Sequence, residues 1–180
     1  MVLIYFFPLV AVSLIVSDKI LFIDMVKDVG TMFSGDPAVD YTYKLQIFQM
    51  SLQAIAYCAL TTAACVSLMA ITWHLNAVQE KLPTLATLYR WNRNAVLSGV
   101  VLLWSCLIVE MYLENYAFGY YWLWEPKATA LALIAIIFST WIALNARSGW
   151  DSVIAARKFV IGPIVIVTIH LMAELLFGSI

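Results

Sequence analysis

The chain has 180 residues, 64% of them hydrophobic and only 12% charged, with a net charge of −1 and a mean hydropathy of +0.92. A soluble domain carries about 25% charged residues, so this composition excludes a water-soluble enzyme, which would lack the polar side chains to cover its surface. The near-zero net charge provides no basic field for a nucleic-acid partner.

Five apolar runs are long enough, or nearly so, to cross a hydrocarbon core of about 30 Å as helices. They lie at about 2–17, 45–72, 95–109, 129–144 and 159–177. The expected architecture is all-α: a polytopic transmembrane bundle of about five helices, forming one domain over 1–180. Loop charge alternates in sign. Segments 77–94 and 146–158 each carry a balance of +2, and 18–44 and 110–127 each carry −2. The positive-inside rule then puts the N-terminus inside and the C-terminus outside.

The first run lacks Lys, Arg and a small-residue cleavage site, so it reads as an uncleaved anchor. Loop 18–44 is expected outside. Residues 20–28 mix apolar and charged positions as a short interfacial helix would, and Gly30, Gly35 and Pro37 break regular structure beyond it. Cys58, Cys65 and Cys106 form no metal-binding or redox spacing and read as small helix residues. Glu110 and Glu114 share a helix face. They read as a solvated edge, with a cation site or an acid–base pair as the alternative. His74 reads as interfacial. His170 lies mid-run with Glu174 one turn on, either as a buried structural hydrogen bond or as a haem-ligating or proton-linked site.

The segment between the third and fourth runs, 115–128, packs Tyr116, Phe118, Tyr120, Tyr121, Trp122 and Trp124 into nine residues. Gly119 frees the backbone for a tight turn. Pro126 suits the first turn of a helix, and Glu125 suits the positive end of that helix. Two readings stay open on physics alone. One is an interfacial aromatic belt. The other is a shelf for a planar apolar ligand such as a porphyrin, with Glu125 and Lys127 as polar handles.

Phe118-Gly-Tyr-Tyr-Trp-Leu-Trp-Glu-Pro-Lys-Ala-Thr129 resembles the tryptophan-rich WWD signature of the haem-handling membrane proteins of cytochrome c biogenesis, the CcsA, CcmC and CcmF proteins. Their pattern is approximately W-G-x-[WY]-W-x-W-D-P-K-E-T. Gly119, Tyr121, Trp122, Trp124, Pro126, Lys127 and Thr129 match. Phe118, Glu125 and Ala128 replace Trp, Asp and Glu. Ala56-Tyr57-Cys58-Ala59 and the basic turn Asn145-Ala-Arg-Ser-Gly-Trp150 are similar to weaker family features, so the resemblance covers about 45–180. It implies a binder and presenter of haem b rather than a catalyst. Phe118, Gly119, Tyr121, Trp122, Trp124, Glu125 and Lys127 would line the site, with His170 as a candidate iron ligand. Implied partners are membrane lipid, other cytochrome c maturation subunits and apocytochrome c. The implied location is a prokaryotic plasma membrane or an organelle inner membrane, with the aromatic loop on the outer face. Family histidines that ligate haem fall here on Gln49 and at or just past Ile180, and a membrane-embedded one falls near Asn145. A partner chain supplying histidines is therefore a further expectation. The alternative reading is a divergent or split structural subunit of a larger membrane complex that carries no haem.

Overall fold

A computed structural model describes residues 37–74, 84–122 and 125–177. The first apolar run and the interfacial segment at 20–28 lie outside these residues. So do Leu123, Trp124 and the side chains of His74 and Glu174.

The described chain is helical: α1 (Pro37–His74), α2 (Leu85–Phe118), α3 (Pro126–Ser148), α4 (Val153–Val160) and α5 (Gly162–Phe177). Four stretches are long and apolar enough to cross a membrane: Lys44–Thr72, Leu85–Phe118, Pro126–Ser148 and Val153–Ala173. Four of the five expected spans are thus present, the fifth falling outside the described residues. The chain is an integral membrane helical bundle. Large apolar side chains such as Val101, Ile108, Ile136, Ile154, Ile164 and Leu175 are exposed on its outside. In lipid this exposure costs nothing, because the helices already satisfy their own backbone polar groups.

The helices run further than the apolar runs. The expected loop 18–44 is helical from Pro37 onward, because Pro37 can sit in a first turn where its missing N–H is not needed. The aromatic segment gives its first residues to α2, which ends only at Gly119 in the left-handed region (φ 75°). Gly119 N–H closes that helix on the Asn115 carbonyl at 2.9 Å. Glu125 is the N-cap residue of α3 and Pro126 opens its first turn, as expected. The last run is broken rather than continuous. Pro163 cannot donate back to the preceding turn, so α4 stops at Val160 and α5 begins at Gly162. Ile161 stays right-handed (φ −77°, ψ −16°), and the span continues across the break.

The most extensive interface joins α1 and α2. Its core alternates small and branched residues: Ala56, Leu60 and Ala63 from α1 meet Val96, Val100 and Leu103 from α2. Gly99 is the point of closest approach. A Cβ placed there would lie 2.8 Å from Leu60 Cδ2 and 3.3 Å from the Ala56 carbonyl oxygen. Helices in lipid associate through such close packing, since burial from water no longer drives them together. The other helices follow from this pair. Trp104 Nε1 donates to Ser139 Oγ at 3.0 Å, tying α2 to α3. Trp150 stacks on Phe159 with centroids 5.9 Å apart, and Trp141 meets the same ring edge-on at 6.1 Å. The turn at Gly149 (φ 90°) is thereby pinned between α3 and α4. Ser152 caps α4, its Oγ accepting from Ala155 N at 3.1 Å.

Gly99→Ala should therefore destabilise the bundle by about 1–3 kcal/mol, the usual cost of overpacking. Thermal unfolding in detergent measures this. Leu60→Ala in the same chain should recover part of the loss, because it removes the atom that the new methyl meets.

Candidate functional site

The antiparallel helices sort charge to two ends of the bundle. Glu110, Glu114, Glu125 and Lys127 gather beside the aromatic segment. Arg90, Arg93, Arg147, Arg157 and Lys158 lie at the other end, where α2 and α4 begin and α3 stops.

At the aromatic end, Phe118, Tyr120 and Tyr121 are 60%, 67% and 65% exposed and form a ledge beyond the end of α2. Trp122 is half-buried and packs on the main apolar core, which anchors the ledge to the bundle. Below lies a cleft of about 250 Å³ walled by Gln46, Glu110, Glu114, Phe118, Glu125 and Lys127. Carboxylate oxygens of Glu110, Glu114 and Glu125 approach within 4.8 Å of one another. Glu114 is only 6% exposed. Reading Glu110 and Glu114 as a solvated edge therefore fails: α1 covers this face of α2, and the third carboxylate arrives from the start of α3.

Lys127 turns inward. Its Nζ donates to Gln49 Oε1 at 3.3 Å. Gln49 is completely buried, and its Nε2 has no acceptor among the described residues. Cys106 Sγ lies 3.6 Å from the Gln49 carbonyl oxygen. Of the cysteines, Cys106 is buried as expected of a small core residue, Cys65 is partly buried and Cys58 is exposed.

A polar stripe continues down α1 from Gln49 at i+4 spacing. Gln53 Nε2 donates to Tyr57 Oη at 3.3 Å, and Tyr57 Oη shares a 2.7 Å hydrogen bond with His170 Nε2. The two rings meet edge-on at 5.8 Å. His170 is partly buried, and Tyr57 is a partner that the sequence did not suggest for it. Eight residues separate Gln49 from Tyr57, about 12 Å along the helix. The structure therefore gathers Phe118, Gly119, Tyr121, Trp122, Glu125 and Lys127 at one end and leaves His170 deeper in the bundle. Ligation of iron through His170 Nε2 would require breaking the bond to Tyr57. Trp124 lies outside the described residues.

Asn145 repeats the Gln49 arrangement at the opposite end. It is fully buried, Lys158 Nζ donates to its Oδ1 at 3.1 Å, and its Nδ2 has no acceptor among the described residues. Gln49 and Asn145, two of the three positions where the resemblance would put histidines, are thus buried amides, each held by a lysine. Sequence reading missed these lysine contacts and the Gln53–Tyr57–His170 chain. Only the Gln49, Gln53, Tyr57 spacing on one helix face was a usable signal.

Comparison of the chain with family models, curated proteins and solved structures returns no match.

Lys127→Met would leave both ends of the buried Gln49 amide without a partner among the described residues, so it should cost about 1–3 kcal/mol. Adding Gln49→Leu should recover much of that loss, and a double-mutant cycle on melting temperatures measures the coupling.

Proposed function

We propose that the chain is a haem-handling membrane protein of the kind that serves cytochrome c assembly, a binder and presenter with no chemistry on its own side chains. The observation that carries this reading is the exposed aromatic ledge on the WWD-like segment, anchored through Trp122 above the inward-turned Lys127. The positive-inside rule puts the basic end in the cytoplasm and the ledge on the outer face.

The residues fit part of a haem. Phe118, Tyr120 and Tyr121 match the flat apolar face of a porphyrin. Lys127 Nζ, on the cleft wall, is a donor suited to one propionate, although Glu110, Glu114 and Glu125 in the same cleft oppose a carboxylate. No described residue at the ledge supplies an imidazole. Haem bound there would supply the iron and the vinyl-bearing ring to be handed on. The chain's own residues would stack that ring, orient one propionate and hold water from its buried side. A nitrogen ligand for the iron would then come from a partner chain or from the apocytochrome.

A second reading is a divergent or split structural subunit that carries no haem. It is favoured by the two lysine-held amides, Gln49 and Asn145, at positions matching family histidines.

Haem titration of the purified chain, followed by tryptophan fluorescence, separates the two. Saturable quenching is expected, with free imidazole completing a low-spin spectrum. Trp122→Ala should abolish saturable binding and His170→Ala should preserve it. No saturable binding with imidazole present would overturn the haem reading. Co-purification of a stoichiometric partner would then support the subunit reading.

A further inference from the structure

The basic end of the bundle holds the larger cleft, about 520 Å³, between the start of α2 and the turn joining α3 to α4. Tyr89, Arg90, Arg93, Asn94, Trp150 and Asp151 line it. We propose that this cleft binds the head group of an anionic glycerophospholipid, with Arg90 and Arg93 holding the phosphate.

The first argument is depth. The 34 residues of α2 make a helix about 51 Å long, against a hydrocarbon core of about 30 Å. The apolar stretch of α2 begins just after Asn94. Arg93 and Arg90 therefore stand about half a turn and about one and a half turns outside the core, at the level of lipid phosphates. Trp91, 51% exposed beside them, and the half-buried Trp150 are the aromatics expected at that depth.

The second argument is charge. Arg90 and Arg93 lie three residues apart, on neighbouring faces of one helix turn. Both are exposed, and neither has a hydrogen bond or ion pair with another described residue. Two guanidinium groups at one cleft match the oxygens of a phosphate. Basic pockets between helices at this level are suited to anionic head groups. Asp151 leaves the lining with a net charge of +1. With Asn94 it can accept hydrogen bonds from head-group hydroxyls, as on phosphatidylglycerol.

The third argument is rigidity. Trp150 is fixed by its stack on Phe159, and the adjoining α4 is held by the Lys158–Asn145 contact. The wall opposite the arginines is therefore set before a lipid arrives, which lowers the ordering cost of binding.

The test uses the full chain in mild detergent. Native mass spectrometry and melting temperature are read during titration with phosphatidylglycerol, phosphatidylcholine and inorganic phosphate. One phosphatidylglycerol should be retained in preference to phosphatidylcholine, with a matching rise in melting temperature. The double variant Arg90→Gln, Arg93→Gln should weaken that retention by about twenty-five-fold, from about fivefold for each basic residue at a membrane surface. Arg147→Gln, Arg157→Gln removes the same charge from the same end outside the cleft and should retain the lipid. Unchanged retention in the first variant would overturn the proposal, and so would equal loss in both variants. Displacement of the lipid by millimolar inorganic phosphate would overturn the lipid as occupant and identify a free-phosphate site. Helical circular dichroism of the variants separates lost binding from lost folding.

Discussion

The close approach of α1 and α2 at Gly99 sets the geometry on which the other contacts depend. Lipid removes the water that would drive helices together, so shape complementarity has to hold this pair. Leu60 and the Ala56 carbonyl fill the space that a side chain at position 99 would occupy. That contact fixes the rotation of α1 and with it the direction of the α1 polar stripe. Gln49 then meets Lys127 of α3, and Tyr57 meets His170 of α5. These pairings lie between helices, where polar groups in a bilayer must find partners. Apolar packing thus positions the polar contacts, and the polar contacts fix which helices adjoin.

The two ends of the bundle are built for different surroundings. One end crowds three carboxylates beside exposed aromatic rings. The other spreads arginines around a cleft and holds Trp150 in a stack on Phe159. An amide held by a lysine seals the bundle near each end. A buried amide keeps a polar site closed without bringing a group that titrates near neutrality, as histidine would.

The spans were legible because hydropathy over 15 to 20 residues is a strong signal and lipid imposes it directly. Gly119 and Pro126 were legible because their backbone preferences are local. The ends of α1 and α2 were not. Charged and aromatic residues at 37–44 and 115–118 read as loop, yet they extend helices past the core into the interface, where hydropathy carries no information about helix formation. The aromatic ledge was legible as composition, and its attachment through Trp122 was not. The Tyr57–His170 bond joins residues 113 positions apart, and its formation depends on how α1 and α5 pack. Burial of Glu114 likewise depends on α1 lying across that face of α2.

The account rests most heavily on the aromatic and basic ends lying on opposite faces of a membrane. Cysteine labelling in sealed vesicles measures this, using a chain whose three native cysteines are replaced by alanine. Tyr120→Cys and Arg147→Cys should react with a membrane-impermeant maleimide from opposite sides, the first from outside and the second only after the vesicles are opened. Labelling of both from the same side would contradict a bundle that spans the bilayer between those ends.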